Sequence, residues 1–313
     1  MGEMNRRRRR FAGSRAVCTI AAIVLGGAIG FAQQQFSFFL SAADSTGARV
    51  TDLRIEEIAV SEGRRPARVV RIDPIAWPVK VTVMVDNGLG TGQYLLHYRN
   101  GLKGFFAALP TGVEASLITL APQPRWVVRA TNDRVQLMNG VDRISPDSGA
   151  ARFLDALIEE SDRVEKDNRE QTRYFPVVVM MATTGPEGSM ARDRDLQRMV
   201  QQFLRRSARV HIIMLGTNFT SPTSVVGARQ VQVGKLLTDQ TGGRYEAIAA
   251  QTRIASLLPE YGELVASAHE FQSKQYLVTV ERPAGATGAL GELAMGLTRQ
   301  GLTFSATPEG LMP

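Results

Sequence analysis

Cysteine is nearly missing from this chain. Its 313 residues include one, Cys18, inside the first 32 residues. Everything after residue 32 therefore lacks both a thiol nucleophile and a disulfide. A chain of this length manages without covalent staples because it buries a large core. Histidine is scarce too: His97, His211 and His269 stand alone. His97 is expected on a helix beside Tyr98, His211 inside a strand, and His269 at a helix end, where its charge suits the dipole. No G-x-S-x-G and no H-E-x-x-H occurs, so the usual sequence marks of hydrolytic catalysis are absent.

A basic surface is also lacking once the first residues are set aside. The formal charge is +7, but residues 1–32 hold six Arg and one acid, leaving 31 basic and 29 acidic residues behind them. The remainder carries no dense basic stripe with interleaved aromatics, so nucleic acid is not an expected partner. Arg6 to Arg10 and Arg15 precede an apolar run from Ala16 to Ala32, the layout of an export leader. The run is 17 residues, at the short edge of a bilayer span. Small residues at Gly30 and Ala32 favour cleavage after Ala32. The alternative is an uncleaved anchor, in which case residues 16–32 are the one membrane contact. The Arg-rich start also permits twin-arginine export. The expected location is periplasmic or secreted.

What remains divides by pattern. Residues 33–76 read as short strands separated by turn chemistry at Asp44 to Gly47 and at Glu62 to Arg64. Residues 77–270 alternate strand and helix. Strands are expected at Val79 to Val85, Val113 to Leu120, Trp126 to Ala130, Phe175 to Met181 and Val210 to Leu215. Several are apolar on both faces, as central parallel strands are. Helices are expected near 94–106, 151–169, 233–238 and 252–269. Leu196, Met199, Val200, Phe203 and Leu204 mark another at i, i+3, i+4, i+7 and i+8 spacing. Residues 271–313 return to strands. The expected fold class is α/β: a Rossmann-like domain with a mostly parallel sheet and helices on both faces. The two flanking β segments are expected to pack together, as a small β-sandwich, around the inserted domain.

Gly88-Leu89-Gly90-Thr91-Gly92 lies between a strand and a helix, as a dinucleotide loop does, but Gln93 stands where the third glycine belongs. The expected role is a tight structural loop. Asn218-Phe219-Thr220 fits a glycosylation sequon and reads as plain loop. Glu159, Glu160 and Asp162, Arg205-Arg206, and the charges of 162–173 read as solvated helix faces.

Two stretches carry a family resemblance. Asp44…Gly47…Val50-Thr51-Asp52-Leu53…Ile58…Ser61-Glu62-Gly63…Ala67…Val69 resembles the N-terminal segment of bacterial exported proteins related to von Willebrand factor A (VWA) domains. Val79 to Asp86, followed by a Gly-rich loop and a helix, resembles the first strand and metal loop of those domains. Gln275-Tyr276 and the terminal strands also fit the group. The resemblance implies a magnesium-type site at the carboxyl ends of the strands, with five side-chain ligands. Position by position, Asp86 matches the first aspartate. The two serines fall on Gly88 and Gly90, the loop threonine on Ala151, and the last aspartate on Thr184. Glycine and alanine bring no side-chain oxygen, and Mg²⁺ needs near-octahedral oxygen ligation. The expected site is therefore degenerate, with no cofactor. The weaker alternative is a non-standard magnesium site on Asp86, Thr91 and Thr184. The implied activity is non-enzymatic capture of an unidentified protein in the cell envelope, at the loop face of the sheet.

Overall fold

The computed structural model describes residues 18–20, 34–170, 173–216, 228–272 and 274–309. The expected leader falls outside them except for a three-residue strand, β1 (Cys18–Ile20). The sequon at 218–220 also lies outside. Two compact units are present. One is formed by Met1–Pro74 with Tyr276–Ala306, the other by Ile75–Gln275 with Thr307–Pro313. Among the described residues no helix is long and apolar enough to cross a membrane.

The first unit contains β1, β2 (Gln35–Ala43), β3 (Ile58–Glu62), β4 (Arg65–Pro74), β11 (Tyr276–Glu281), β12 (Leu293–Leu297) and β13 (Thr303–Pro308). They form one seven-stranded sheet in the order β1-β12-β3-β4-β11-β2-β13. N- and C-terminal strands interleave, so neither segment owns a complete sheet. The expected sandwich is thus realised as one continuous sheet, because β4 belongs to both halves. Its residues 65–67 pair with β3 and its residues 68–74 with β11. Apolar side chains from both arms fill one core: Phe38 and Leu40 of β2, Ile58 and Val60 of β3, Val278 and Val280 of β11, and Met295 of β12.

A buried ion pair ties this interleaving together. The side chains of Glu62 and Arg282 are 5% and 6% exposed. Arg282 Nε and Nη2 donate to the two Glu62 carboxylate oxygens at 2.9 and 2.5 Å. Its other N–H groups reach the Gln34 side chain, Gly288 O and Ala289 O. Gly291 N also donates to Glu62. All five guanidinium donors are thereby satisfied. Arg282 holds the Glu62 carboxyl below its ordinary range, Arg282's hydrogen bonds outweighing the burial.

The second unit holds β5 (Val79–Val85), β6 (Glu114–Thr119), β7 (Arg125–Thr131), β8 (Phe175–Thr183), β9 (Arg209–Leu215) and β10 (Tyr245–Ile248). Its helices are α1 (Leu95–Ala108), α2 (Arg134–Asp142), α3 (Phe153–Glu170), α4 (Asp193–Arg205), α5 (Ala228–Thr241) and α6 (Arg253–Gln272). The sheet order is β10-β9-β8-β5-β6-β7. Every neighbouring pair is parallel except the β6–β7 hairpin. Met84, Ile118, Met180 and Ile212 share a core with α3, α4 and α5. Residues of opposite parity face the other helices: Gly140 of α2 sits against Val128 and Leu117, and Tyr261 of α6 packs edge-on to His211. The sheet is thus covered on both sides.

Two elements escape the sequence patterns. α2 presents only Leu137, Gly140 and Val141 to the core, and β10 is four residues long. Both are too brief for a periodicity to build up. Glu160 also departs from expectation. It is 3% exposed, accepts from Thr82 Oγ1 at 2.8 Å and pairs with Arg163, which stacks over Trp126. The helix face around it is only partly solvated, since Glu165 is buried as well and takes a 2.8 Å hydrogen bond from Arg206.

Neither β segment expressed alone, 34–74 or 276–309, is expected to stay soluble, because each supplies only some of the interleaved strands of one sheet; a monomeric, dispersed peak for either overturns this. Arg282→Leu leaves Glu62 buried without a counter-ion and is expected to cost about 3 kcal/mol in urea unfolding. Because Glu62 is depressed in the folded state, that contribution is present at neutral pH and is lost as the pH falls below 4.5. A Glu62→Leu/Arg282→Leu double variant is expected to lose less than the single one.

Candidate functional site

The first crossover of the α/β unit runs from β5 to β6 and the later ones run from β8 to β9 and β10, in opposite directions along the sheet. β5 and β8 are neighbours, so the strand order reverses between them. Ligands of open α/β sheets bind at the carboxyl ends of the strands at such a point. Asp86 is the first residue after β5 and Thr183 the last residue of β8.

Asp86 is 3% exposed. Its Oδ1 accepts from Gly88 N at 2.8 Å. Its Oδ2 accepts from Thr183 Oγ1 at 2.6 Å and from Thr183 N at 3.1 Å. Burial pushes the carboxyl above its ordinary range, and these three neutral donors oppose the shift without cancelling it. The phenol of Tyr98, on α1, is fully buried without a hydrogen-bond partner and is raised well above 10 by burial and by the Asp86 charge.

The glycines at the two serine positions are held by the backbone itself. A Cβ on Gly88 would meet Gly149 O at 2.9 Å and Ala151 N at 3.0 Å. The 145–151 loop therefore occupies the space a side chain would need. Gly90 has φ +86, a left-handed conformation that a serine adopts only under strain. The loop's donors are also spent internally. Leu89 N donates to Gly149 O, and both Thr91 N and Thr91 Oγ1 donate to Gly88 O. Gly88, Leu89 and Thr91 thus have no backbone N–H left to cradle a phosphate, in keeping with a structural loop.

Ala151 is 4% exposed and forms an isolated parallel bridge with Glu187. Thr184 donates its N–H to Leu215 O. The hydroxyl that meets Asp86 is that of Thr183, one residue before the position assigned by resemblance. Of the trio Asp86, Thr91 and Thr184, the first two share one loop through Gly88, while Thr184 stands behind Thr183. Thr183 takes both acceptor directions of Asp86 Oδ2, while Oδ1 accepts a single bond, from Gly88 N. Among the described residues, no group of three or more His, Cys, Asp or Glu is placed to hold a metal.

Asn87 is a further organiser that pattern reading passes over. Its Nδ2 donates to Ser145 O, its Oδ1 accepts from Ala121 N, and its own carbonyl accepts from Asp147 N. One buried amide thus joins three loops. The only signal in the sequence is a polar residue directly after a strand and before glycine.

No family model and no curated protein matches the chain. Several solved structures are similar to it. A von Willebrand factor type A protein from Catenulispora acidiphila is 11% identical, with TM-score 0.48, covering 88% of this chain and 73% of that one. The conserved hypothetical protein BatB from Bacteroides thetaiotaomicron is 14% identical, with TM-score 0.44, covering 60% and 98%. The vWF domain of the type V pili tip protein Mfa5 from Porphyromonas gingivalis is 10% identical, with TM-score 0.44, covering 62% and 97%. The first and the third are von Willebrand factor A proteins, the family that the sequence resembles. At such identities and TM-scores the α/β fold class rests on the chain's own strand order.

Thr183→Val removes the hydroxyl donor from a buried carboxylate and is expected to lower the unfolding free energy by about 1–3 kcal/mol. Thr184→Val is expected to stay within about 0.5 kcal/mol of the parent. Equal effects at the two positions in parallel denaturation curves would contradict the assignment of Thr183.

Proposed function

We propose that this chain is an exported, non-enzymatic protein-interaction module that engages its partner through the loop face at the carboxyl ends of the sheet, without a metal ion. The observation that carries the reading is the state of Asp86. The one carboxylate left at the site is buried and accepts three hydrogen bonds from within the chain. Those bonds leave an ion little of the carboxylate to bind, and it would have to find further oxygens, which Gly88, Gly90 and Ala151 do not supply. The same face offers apolar contact instead. Leu89, Leu96 and Met190, on the loops and helix start that frame the site, are 57%, 64% and 81% exposed. Export is read from the basic and apolar leader, and the absence of an enzymatic role from the lack of a nucleophile–base or paired-acid constellation in the sequence.

Pull-down from envelope extract is expected to recover the same partner with and without EDTA, and Leu89→Asp or Met190→Asp to lose it. Isothermal titration with Mg²⁺ and Mn²⁺ is expected to show no micromolar binding. A micromolar affinity that disappears in Asp86→Ala, or capture abolished by EDTA, would favour a metal-dependent adhesion site instead.

A further inference from the structure

The two ends of the seven-stranded sheet differ in what stops a further strand from adding. β13 closes one end and runs into Pro308, which has no N–H to offer a neighbour. β12 has neither proline nor charge: its five residues are Leu293-Ala294-Met295-Gly296-Leu297. Such an edge is a template for another strand unless something covers it. Its cover here is β1, paired antiparallel with Cys18 opposite Met295 and Ile20 opposite Leu293. β1 lies inside the segment that reads as an export leader. Removal of that leader after Ala32 takes the cover away.

The backbone shows which groups then become free. Glu292 O accepts from Gly63 N and Thr298 N donates to Glu57 O, both on the β3 side. The N–H and C=O of one strand residue point the same way, and the direction alternates along the strand. Ala294 and Gly296 therefore face β3. Leu293, Met295 and Leu297 turn their N–H and C=O outward, to the position of β1. The side chains of Met295 and Leu297 meet the core of the sheet, which leaves Gly296 on the opposite face.

This edge is complementary to itself. Two copies laid antiparallel about a two-fold axis through Met295 set Met295 against Met295, Leu293 against Leu297 and Ala294 against Gly296 of the other copy. Every pair is apolar and no like charges meet. Each outward N–H then faces an outward C=O of the other copy. The chain beyond the leader holds 31 basic and 29 acidic residues, so little net charge opposes the approach. We propose that the β12 edge is the self-association surface of the leaderless chain, where a second copy adds its own β12, and that β1 blocks this edge while the leader is attached. The proposal rests on the reading that the leader is removed on export.

A single strand pair is a small interface, so the dimer is expected to be weak and concentration-dependent. The test takes the chain purified from the envelope, reads its N-terminus by mass spectrometry and follows its mass by light scattering over a wide concentration range. With residues 1–32 gone, a shift from monomer to dimer is expected on concentration. Hydrogen exchange is expected to slow on dimerisation at the amides of Leu293, Met295 and Leu297, but not at Ala294 and Gly296. Gly296→Lys leaves the monomer unchanged, since a Cβ there meets nothing within 4 Å. It sets two lysines diagonally across the axis and is expected to raise the dimer dissociation constant several-fold. Mixing it with Gly296→Glu is expected to restore the dimer. A leaderless chain that stays monomeric at every concentration, or a dimer that Gly296→Lys does not weaken, overturns the proposal. A chain found with residues 1–32 in place refutes leader removal instead, and the edge is then tested with Ile20→Pro, which takes away an N–H that pairs with β12. That variant is expected to dimerise where the parent does not. A variant with the parent's mass at every concentration overturns the proposal.

Discussion

The α/β unit depends on how one buried carboxylate is satisfied. Parallel strands β5 and β8 leave a gap at their carboxyl ends where the crossovers diverge, and the chain must close it with polar atoms. Asp86 does so by accepting from Thr183 on one side and from its own loop at Gly88 on the other. Its neighbour Asn87 extends the same junction to Ser145, Ala121 and Asp147. With those bonds made, the 145–151 loop can approach until Gly149 O and Ala151 N lie against Gly88. The consequence is chemical as well as structural. The space a side chain at 88 would need is filled by Gly149 O and Ala151 N, and Asp86 Oδ2 is taken by Thr183.

Three carboxylates, two buried and one half-buried, show how the partner decides the outcome of burial. Glu62 faces a guanidinium that it meets with both oxygens, and it is held below its usual range. Asp86 has three hydrogen bonds but only neutral donors, and burial wins. Glu187 is likewise raised, with one oxygen left unpaired. Desolvation penalises all three alike, and only a full opposite charge outweighs it. The first arrangement suits a permanent joint between distant chain segments.

The interleaved β unit illustrates a second constraint. β2, β3 and β4 come from one end of the chain and β11, β12 and β13 from the other, yet they interleave in a single sheet. The core they enclose draws on both ends. Formation of this unit therefore waits on contacts between residues more than 200 positions apart, such as Glu62 and Arg282. Loop-closure entropy rises slowly with length, so such an arrangement is affordable in stability but slow to assemble.

Strong periodicity made much of the fold legible. Val79 to Val85, Phe175 to Met181 and the stripe from Leu196 to Leu204 announce themselves because long apolar patterns have one low-energy geometry. That glycine stands at 88 and 90 and alanine at 151, none of them with a side-chain oxygen, was legible as well, since residue type alone decides it. What the sequence could not reveal is which atoms meet. That Thr183 rather than Thr184 reaches Asp86 and that Glu160 meets Thr82 depend on strand ends and a helix brought together from 97 and 78 residues apart. Residue types and their spacing determined the elements. Tertiary packing alone decided which of the remaining polar groups are paired, because pairing is a matter of a few tenths of an ångström that no local pattern encodes.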